Sequence, residues 1–185
     1  MSQAVLERVE EKLLTPDEFM ALPIDRAELI GGKVVELMPA VFSHDELILI
    51  IGNALRAHVK RNKLGRVAGG GSFRTEENQV RAPDVAFLSN EDLEGENVDK
   101  CISKSPTLAV EIISQNDTYG EVEDKADEFL RSGSKSVWLV NPRRKTVTVR
   151  TLDDETTFKM GQSLSGGDIL PNFDLPVADV FEELG

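Results

Sequence analysis

The sequence contains very little cysteine, since Cys101 is its only one. No disulfide can therefore form within the chain, and a reducing cytoplasm is the expected compartment. Long hydrophobic runs are missing too, because no apolar stretch approaches the roughly 18 residues that a membrane-spanning helix needs. The first residues, MSQAVLERVEEKLL, are acidic and amphipathic, which is not typical of a secretory signal. We therefore expect a cytoplasmic protein with no membrane partner.

Positive charge is also scarce, with 21 Lys and Arg residues against 33 Asp and Glu and a net charge of −12. Non-specific affinity for nucleic acid comes from Lys and Arg side chains, so this chain is not covered with phosphate contacts. A local basic rim around an acidic, metal-holding centre remains possible. Two basic clusters could form it, namely Lys60, Arg61, Lys63 and Arg66, and Arg143, Arg144 and Lys145. The first cluster has a sufficient alternative explanation, because positive residues at a helix C-terminus complement its dipole.

What the sequence does contain is an interleaving of helix and strand patterns. Residues 27–38 give a hairpin signal around Gly31-Gly32. Residues 43–65 predict a helix that opens on a capping box, Ser43 to Glu46, and ends at Gly65. Further along, the patterns predict strands over 80–88, 107–115, 134–142 and 146–152 and a helix over 118–132. This order indicates an α/β (α+β) domain with a mixed β-sheet flanked by helices.

Three charged residues occupy positions where the pattern calls for hydrocarbon. Asp84 lies in the strand-like stretch APDVAFL, and Glu111 lies in TLAVEIISQ. Lys125 takes the i+3 slot on the helix face that Val122, Ala126 and Phe129 define. A buried charge costs several kcal/mol unless it is paired or bound to a metal. We therefore predict that the three side chains converge, and that they either pair with one another or hold a divalent cation such as Mg²⁺.

Each of these residues has an ordinary alternative. Glu111 could lie at a sheet edge, Asp84 could cap a turn, and Lys125 could extend past Phe129 to water. For one carboxylate alone the structural explanation is the commoner one. All three together, each in an apolar context, favour a functional site.

The pattern of motifs resembles a known group of nucleases. The PD at 83–84 followed by VEII at 110–113 resembles the PD-(D/E)XK superfamily, which has the restriction-endonuclease-like fold. The wider set is similar to the Uma family of bacterial endonucleases; it comprises AELIGG, SHDELI, APDVAF, VEIIS, DKADEFLRSG and SVWLVNP. Agreement from about residue 13 onward makes 13–185 a single nuclease-like domain and 1–12 an N-terminal extension. In the superfamily's basic pattern the lysine lies two residues after the acid, where this chain has Ile113, whereas the family places it on the following helix, as Lys125.

The resemblance implies a role for each matching residue. Asp84 and Glu111 would bind Mg²⁺ or Mn²⁺, with the backbone carbonyl of Ile112 as a further ligand, and together with Lys125 they would form the catalytic set. Glu28 and His44 would lie at the rim of the site. The residues themselves leave both rim positions open, because Glu28 could equally be a solvated strand residue and an inward His44 is more often structural than a ligand. The resemblance further implies DNA as the substrate and a homodimer as the assembly.

Two functions follow as hypotheses. The first is a Mg²⁺-dependent endodeoxyribonuclease, an enzyme that hydrolyses DNA phosphodiester bonds. The second is a catalytically inactive binding or regulatory module that keeps the nuclease fold, which the acidity of the chain and Ile113 in place of a lysine favour. A hydrolase with a serine or cysteine nucleophile is a poor third, because Cys101 lies in a polar stretch and no serine has a recognisable histidine partner.

Overall fold

The computed structural model describes residues 12–24, 26–114 and 117–182. The helices within these ranges are α1 (Pro16–Met20), α2 (Phe42–Asn62), α3 (Asn90–Leu93), α4 (Tyr119–Arg131) and α5 (Val177–Phe181). The strands are β1 (Ala27–Ile30), β2 (Lys33–Glu36), β3 (Gly65–Gly69), β4 (Phe73–Glu76), β5 (Gln79–Arg81), β6 (Val85–Ser89), β7 (Leu108–Ile112), β8 (Ser136–Asn141), β9 (Thr146–Arg150), β10 (Glu155–Lys159), β11 (Ser163–Gly166) and β12 (Leu170–Pro176). No helix in the described ranges is long and apolar enough to cross a membrane.

A six-stranded sheet in the order β10-β9-β8-β7-β6-β3 forms the centre of the molecule. Strands β7 and β8 are parallel and are joined through α4, whereas the other neighbours are antiparallel. We call the end of this sheet where β7 finishes and β6 begins the site end. The predicted mixed sheet flanked by helices is confirmed, because α2 and α5 pack on one face and α4 on the other.

Strand β7 shows how the two faces of the sheet divide the core. Val110 and Ile112 pack with the apolar stripe of α2, whereas Ala109 packs with Ala126 and Phe129 of α4. Successive side chains of a strand point to opposite faces, so Glu111 is on the α4 side with Ala109. The strand's own alternation therefore aims this carboxylate at the helix that carries Lys125.

A smaller sheet, in the order β2-β1-β5-β4, adjoins the central one. Its first hairpin turns at Gly31 and Gly32, whose φ angles of 56° and 79° suit a type I′ turn. The prediction of one strand over 80–88 is wrong, because β5 ends at Arg81 and β6 begins at Val85 in the other sheet. Pro83, which cannot donate a ladder hydrogen bond, lies in this break, and Asp84 is the last residue before β6.

Helix α2 exists as predicted, but its ends differ. It begins at Phe42 after Val41, and no side chain caps it, so the Ser43–Glu46 capping box is wrong. Its end is formed by Lys63 in the left-handed conformation, with φ 54°, and Gly65 already belongs to β3. Helix α4, by contrast, begins with a complete capping box formed by Thr118 and Glu121.

Candidate active site

Lys125 is the centre of a group of buried acceptors. Its ammonium nitrogen lies 2.9 Å from Glu111 Oε2 and 2.9 Å from Glu28 Oε1, and it donates to the Ala82 carbonyl at 3.3 Å. An ammonium group has three donors, so these three oxygens account for all of them. Only 19% of the Lys125 side chain and 15% of the Glu111 side chain are exposed. The helical-wheel expectation that Lys125 points at the sheet agrees with this geometry.

Asp84 reaches the same end of the sheet from the neighbouring strand. Its Oδ2 accepts a hydrogen bond of 2.7 Å from the backbone N–H of Ile112, the residue after Glu111. Val85 and Val110 form the last pair between β6 and β7 at this end of the sheet. The bond from Ile112 to Asp84 therefore continues the contact between the two strands beyond that pair. The break at Ala82–Asp84 thus turns the carboxylate toward β7, and the two acids that are distant in sequence lie together at the site end.

His44 contacts Asp84 from the first turn of α2. Its Nε2 lies 3.4 Å from Asp84 Oδ2, and only 15% of its side chain is exposed. The hydrogen bond with Asp84 raises the pKa of His44, although burial acts in the opposite direction. The inward orientation predicted for His44 therefore brings it to the site, beside a proposed metal ligand.

Glu28 is fully inside the molecule, which decides between the two alternatives for this residue. Its side chain is 4% exposed. Besides Lys125, it accepts hydrogen bonds from the Ala82 N–H at 3.0 Å and from Arg81 Nη1 at 2.9 Å. Burial alone would raise the pKa of Glu28, but Lys125, the Ala82 amide and Arg81 outweigh it and leave the pKa below its ordinary value.

A second buried ion pair, between Arg81 and Glu128, was not predicted from the sequence. Arg81 also contacts Glu28 and so links this pair to the site. Arg81 donates to Glu128 Oε2 through Nε at 2.8 Å and through Nη2 at 2.5 Å, and Thr75 donates to the other oxygen of Glu128. Glu128 lies three residues after Lys125, on the same side of α4, so the helical wheel contained a signal for it. Arg81 gave no such signal, because its environment is set by the packing of β5 against α4.

The site carries more negative than positive charge. Glu28, Asp84, Glu111 and Glu128 contribute four carboxylates, while Arg81 and Lys125 contribute two cations, a formal charge of −2 when all six are ionised. Burial raises the pKa of Glu111 to about 8, and the charges of Asp84 and Glu28 act in the same direction against that of Lys125. Burial would also lower the pKa of Lys125, but Glu111 and Glu28 outweigh it and raise that pKa, so the amine stays charged.

The donor set fits a hard divalent cation. Within the described part of the chain, Glu111 Oε1 is buried and has no hydrogen-bond partner, and the contacts of Asp84 with His44 and Ile112 use its Oδ2. Among the described residues, no three His, Cys, Asp or Glu side chains lie together as a preformed metal site. Two carboxylates and a carbonyl nevertheless suit Mg²⁺, which commonly keeps several waters and takes one or two carboxylates from the protein. The role of the Ile112 carbonyl stays a prediction.

The basic cluster of Lys60, Arg61, Lys63 and Arg66 is not brought to this site. Lys60 lies 16 residues beyond His44 on α2, which corresponds to about 24 Å along the helix axis. Gly65, which follows the cluster's helix, is paired with Ser89 at the opposite end of the sheet from Asp84. These residues therefore lie away from the cluster of Asp84, Glu111 and Lys125.

Comparison with known proteins gives the family and the fold. Residues 16–178 match the family Uma2, described as "Putative restriction endonuclease". The chain is also similar to the crystal structure of a nuclease of the DUF820 group from Anabaena variabilis, described as putative, with a TM-score of 0.78 and 20% sequence identity. That likeness covers 93% of this chain and 99% of the other. The search of curated proteins gave no match. Since the family match spans most of the chain, this protein belongs to the Uma2 family and has a restriction-endonuclease-like fold.

Proposed function

We propose that this protein is a metal-dependent endonuclease that hydrolyses DNA phosphodiester bonds with Mg²⁺ or Mn²⁺ as cofactor. The observation that carries the proposal is the meeting of Asp84, Glu111 and Lys125 at one end of the sheet, with a buried oxygen of Glu111 left without a partner. A buried acceptor without a partner is rare in folded proteins and calls for an explanation, and coordination of a cation would provide one. Family membership supports the nuclease activity.

The charge of the site supports the same proposal. Two negative charges in excess, within a cluster of largely buried side chains, are costly unless a cation or protons neutralise them. The pKa of Glu111, raised to about 8, indicates that a proton removes one of these two charges at neutral pH. A divalent cation would match the excess and would supply charge neutralisation at a phosphodiester and activation of water.

The chain's own residues take separate parts in this mechanism. Asp84 and Glu111 would hold the cation, and the Ile112 N–H, which donates to Asp84 Oδ2, fixes the orientation of that carboxylate. Lys125, whose pKa is raised, cannot serve as a general base at neutral pH, because it keeps its proton. It would instead donate hydrogen bonds to a phosphate oxygen or orient the attacking water, and so stabilise charge that develops in the transition state. Glu28 would keep the ammonium group in place when Glu111 turns to the cation.

Nicking of supercoiled plasmid with Mg²⁺ or Mn²⁺ tests the proposal. Wild type should convert the supercoiled form to the nicked form, and both Asp84→Ala and Lys125→Ala should lose this activity. Lys135→Ala is the matched control, because Lys135 is an exposed lysine at the opposite end of the sheet. Activity that survives in Asp84→Ala and Lys125→Ala would refute the mechanism.

One observation favours the inactive-module hypothesis instead. Lys125 already contacts both Glu28 and Glu111, so the site can act as a purely structural charged triad. A structural triad needs no metal, and Mg²⁺ would then leave the melting temperature unchanged. A cation that binds only the folded state raises it, by mass action. An increase that is present in wild type and absent in Glu111→Ala therefore decides for the metal site.

The assembly belongs to the same proposal. A homodimer would allow each chain to cut one strand of a duplex, and the molar mass in solution, measured by light scattering, tests it. A monomer at the concentration used for nicking would contradict this part of the proposal, without affecting the metal site itself.

A further inference from the structure

The turn between β8 and β9 carries two arginines at the site end of the sheet. Strands β7 and β8 are parallel and in register, with Glu111 opposite Leu139 and Ile112 opposite Val140. Both strands therefore finish at the same end, and residues 142–145 form the turn just past β8. Arg143 and Arg144 are exposed there. From the strand spacing of about 4.8 Å and the rise of about 3.3 Å per residue, the turn lies roughly 12 Å from Glu111.

Neither arginine is neutralised within the described part of the chain. Arg74, Arg81 and Arg150 all have ion pairs with carboxylates. No carboxylate of the described residues lies within ion-pair distance of Arg143 or Arg144, and the only hydrogen bond of Arg144 in these ranges is made by its backbone N–H, which donates to Asn141 Oδ1. In a chain with a net charge of −12, these two adjacent guanidinium groups form a small patch of positive charge. Lys60 and Arg61 also have no ion pair within the described ranges, so it is the place at the site end that distinguishes Arg143 and Arg144.

The other flank of the site is formed by three glycines, residues 69–71. Strand β3 finishes at Gly69, opposite Val85, and the Gly70 N–H donates to the Asp84 carbonyl at 2.9 Å. A Cβ atom added to Gly70 would meet nothing within 4 Å. A Cβ on Gly69 would meet Ile48 at 3.5 Å and one on Gly71 would meet the Phe73 ring at 3.3 Å, so the open backbone surface beside Asp84 is at Gly70. The site lies between this surface and the arginine turn, along one line that runs across the ends of β3, β6, β7 and β8.

We propose that Arg143 and Arg144 bind the phosphate backbone of DNA that lies along this line, and that Lys60, Arg61, Lys63 and Arg66 do not. This inference rests on the proposed function, since it names the substrate-binding surface of the same site. The reason is electrostatic: the site itself is acidic and repels phosphates, so cations beside it are needed to hold a duplex there. A separation of roughly 12 Å corresponds to about three to four base pairs, because successive phosphates of one strand are about 3.4 Å apart along the axis.

Fluorescence anisotropy with a labelled 20-base-pair duplex tests the proposal. The binding buffer contains Ca²⁺ in place of Mg²⁺, because Ca²⁺ also takes oxygen ligands and would fill the same carboxylate site. Arg143→Gln/Arg144→Gln is compared with Lys60→Gln/Arg61→Gln, which removes the same charge from exposed positions at the opposite end of the sheet. At 0.1 M salt we expect the arginine variant to bind roughly 10- to 60-fold more weakly. The slope of log K against log salt should become about 1.8 less steep, the value for two lost phosphate contacts. The lysine variant should keep the wild-type slope.

Equal weakening in both variants would mean a general charge effect and would overturn the proposal, as would an unchanged affinity in the arginine variant or a wild type that binds no DNA. Nicking is measured on the same preparations. DNA binding that depends on the arginines without any nicking supports this inference and refutes the proposed hydrolysis. If the arginine variant nicks and binds DNA as wild type does, only this inference is refuted.

Discussion

Replacing Lys125 with methionine tests the core of the site without reference to activity. Methionine has a similar length but no charge, so the change removes the ammonium group and leaves most of the packing. At pH 9, above its raised pKa of about 8, Glu111 is ionised and loses its ion pair in this variant, whereas Glu28 keeps Arg81 and the Ala82 amide. Removing one partner of a buried ion pair destabilises a protein by about 3–5 kcal/mol. Because Lys125 is about one-fifth exposed, we expect about 3 kcal/mol.

For a chain of this size, 1 kcal/mol shifts the melting temperature by about 2–4 °C, so Lys125→Met should melt roughly 6–12 °C lower than wild type. The measurement is thermal unfolding in EDTA at pH 9, where Glu111 is ionised, with urea unfolding to obtain the free energy. The double variant Lys125→Met/Glu111→Gln is the control. It removes both charges of the pair and should recover part of the loss, because contacting residues are not additive. A shift below 2 °C for Lys125→Met would mean that the amine is solvated, and the reasoning about a buried triad would fail.

Two further predictions concern pH and helix capping. Because burial raises the pKa of Glu111 to about 8 from 4.5, the folded metal-free protein keeps a proton that the unfolded chain has released, so the free energy of unfolding should fall as pH rises from about 4.5 to 8. Urea titrations in EDTA should show this fall in wild type and a flatter profile in Glu111→Gln; parallel profiles would contradict it. Thr118→Ala removes the cap of α4 and should cost about 1 kcal/mol, whereas Ser43→Ala, which removes no cap, should be neutral by the same urea measurement.

The sequence predicted the inward charges because periodicity alone fixes which face a side chain takes. Lys125 shares a helix face with Ala126 and Phe129, and a wheel identifies that face before any partner is known. Glu111 likewise lies within a strand whose other residues are apolar. That these faces meet each other needed the further knowledge that α4 joins β7 to β8 and packs back on the sheet, which is the usual course of such a connection.

Local signals were weaker at the ends of elements. The pair Ser43 and Glu46 has the spacing of a capping box, yet the helix begins one residue earlier and neither side chain caps it. Asp84 was predicted to lie inside one strand, because the stretch APDVAFL (82–88) is short and mostly apolar, as a buried strand is. Only the arrangement of two sheets shows that the chain breaks at Pro83 and passes from one sheet to the other.

The sequence by itself thus determined the types of the main elements, the family and the three charged residues that face the interior. The tertiary structure alone decided that Arg81 and Glu128 fix Glu28, that Lys60 and its neighbours lie at the far end of the sheet, and that Arg143 and Arg144 lie at the near end. The physical reason is the separation along the sequence of the residues that interact. Helix and strand faces follow from residues three or four apart, whereas the end of a sheet at which a turn emerges depends on strand order and direction, which bring together residues that are far apart in sequence.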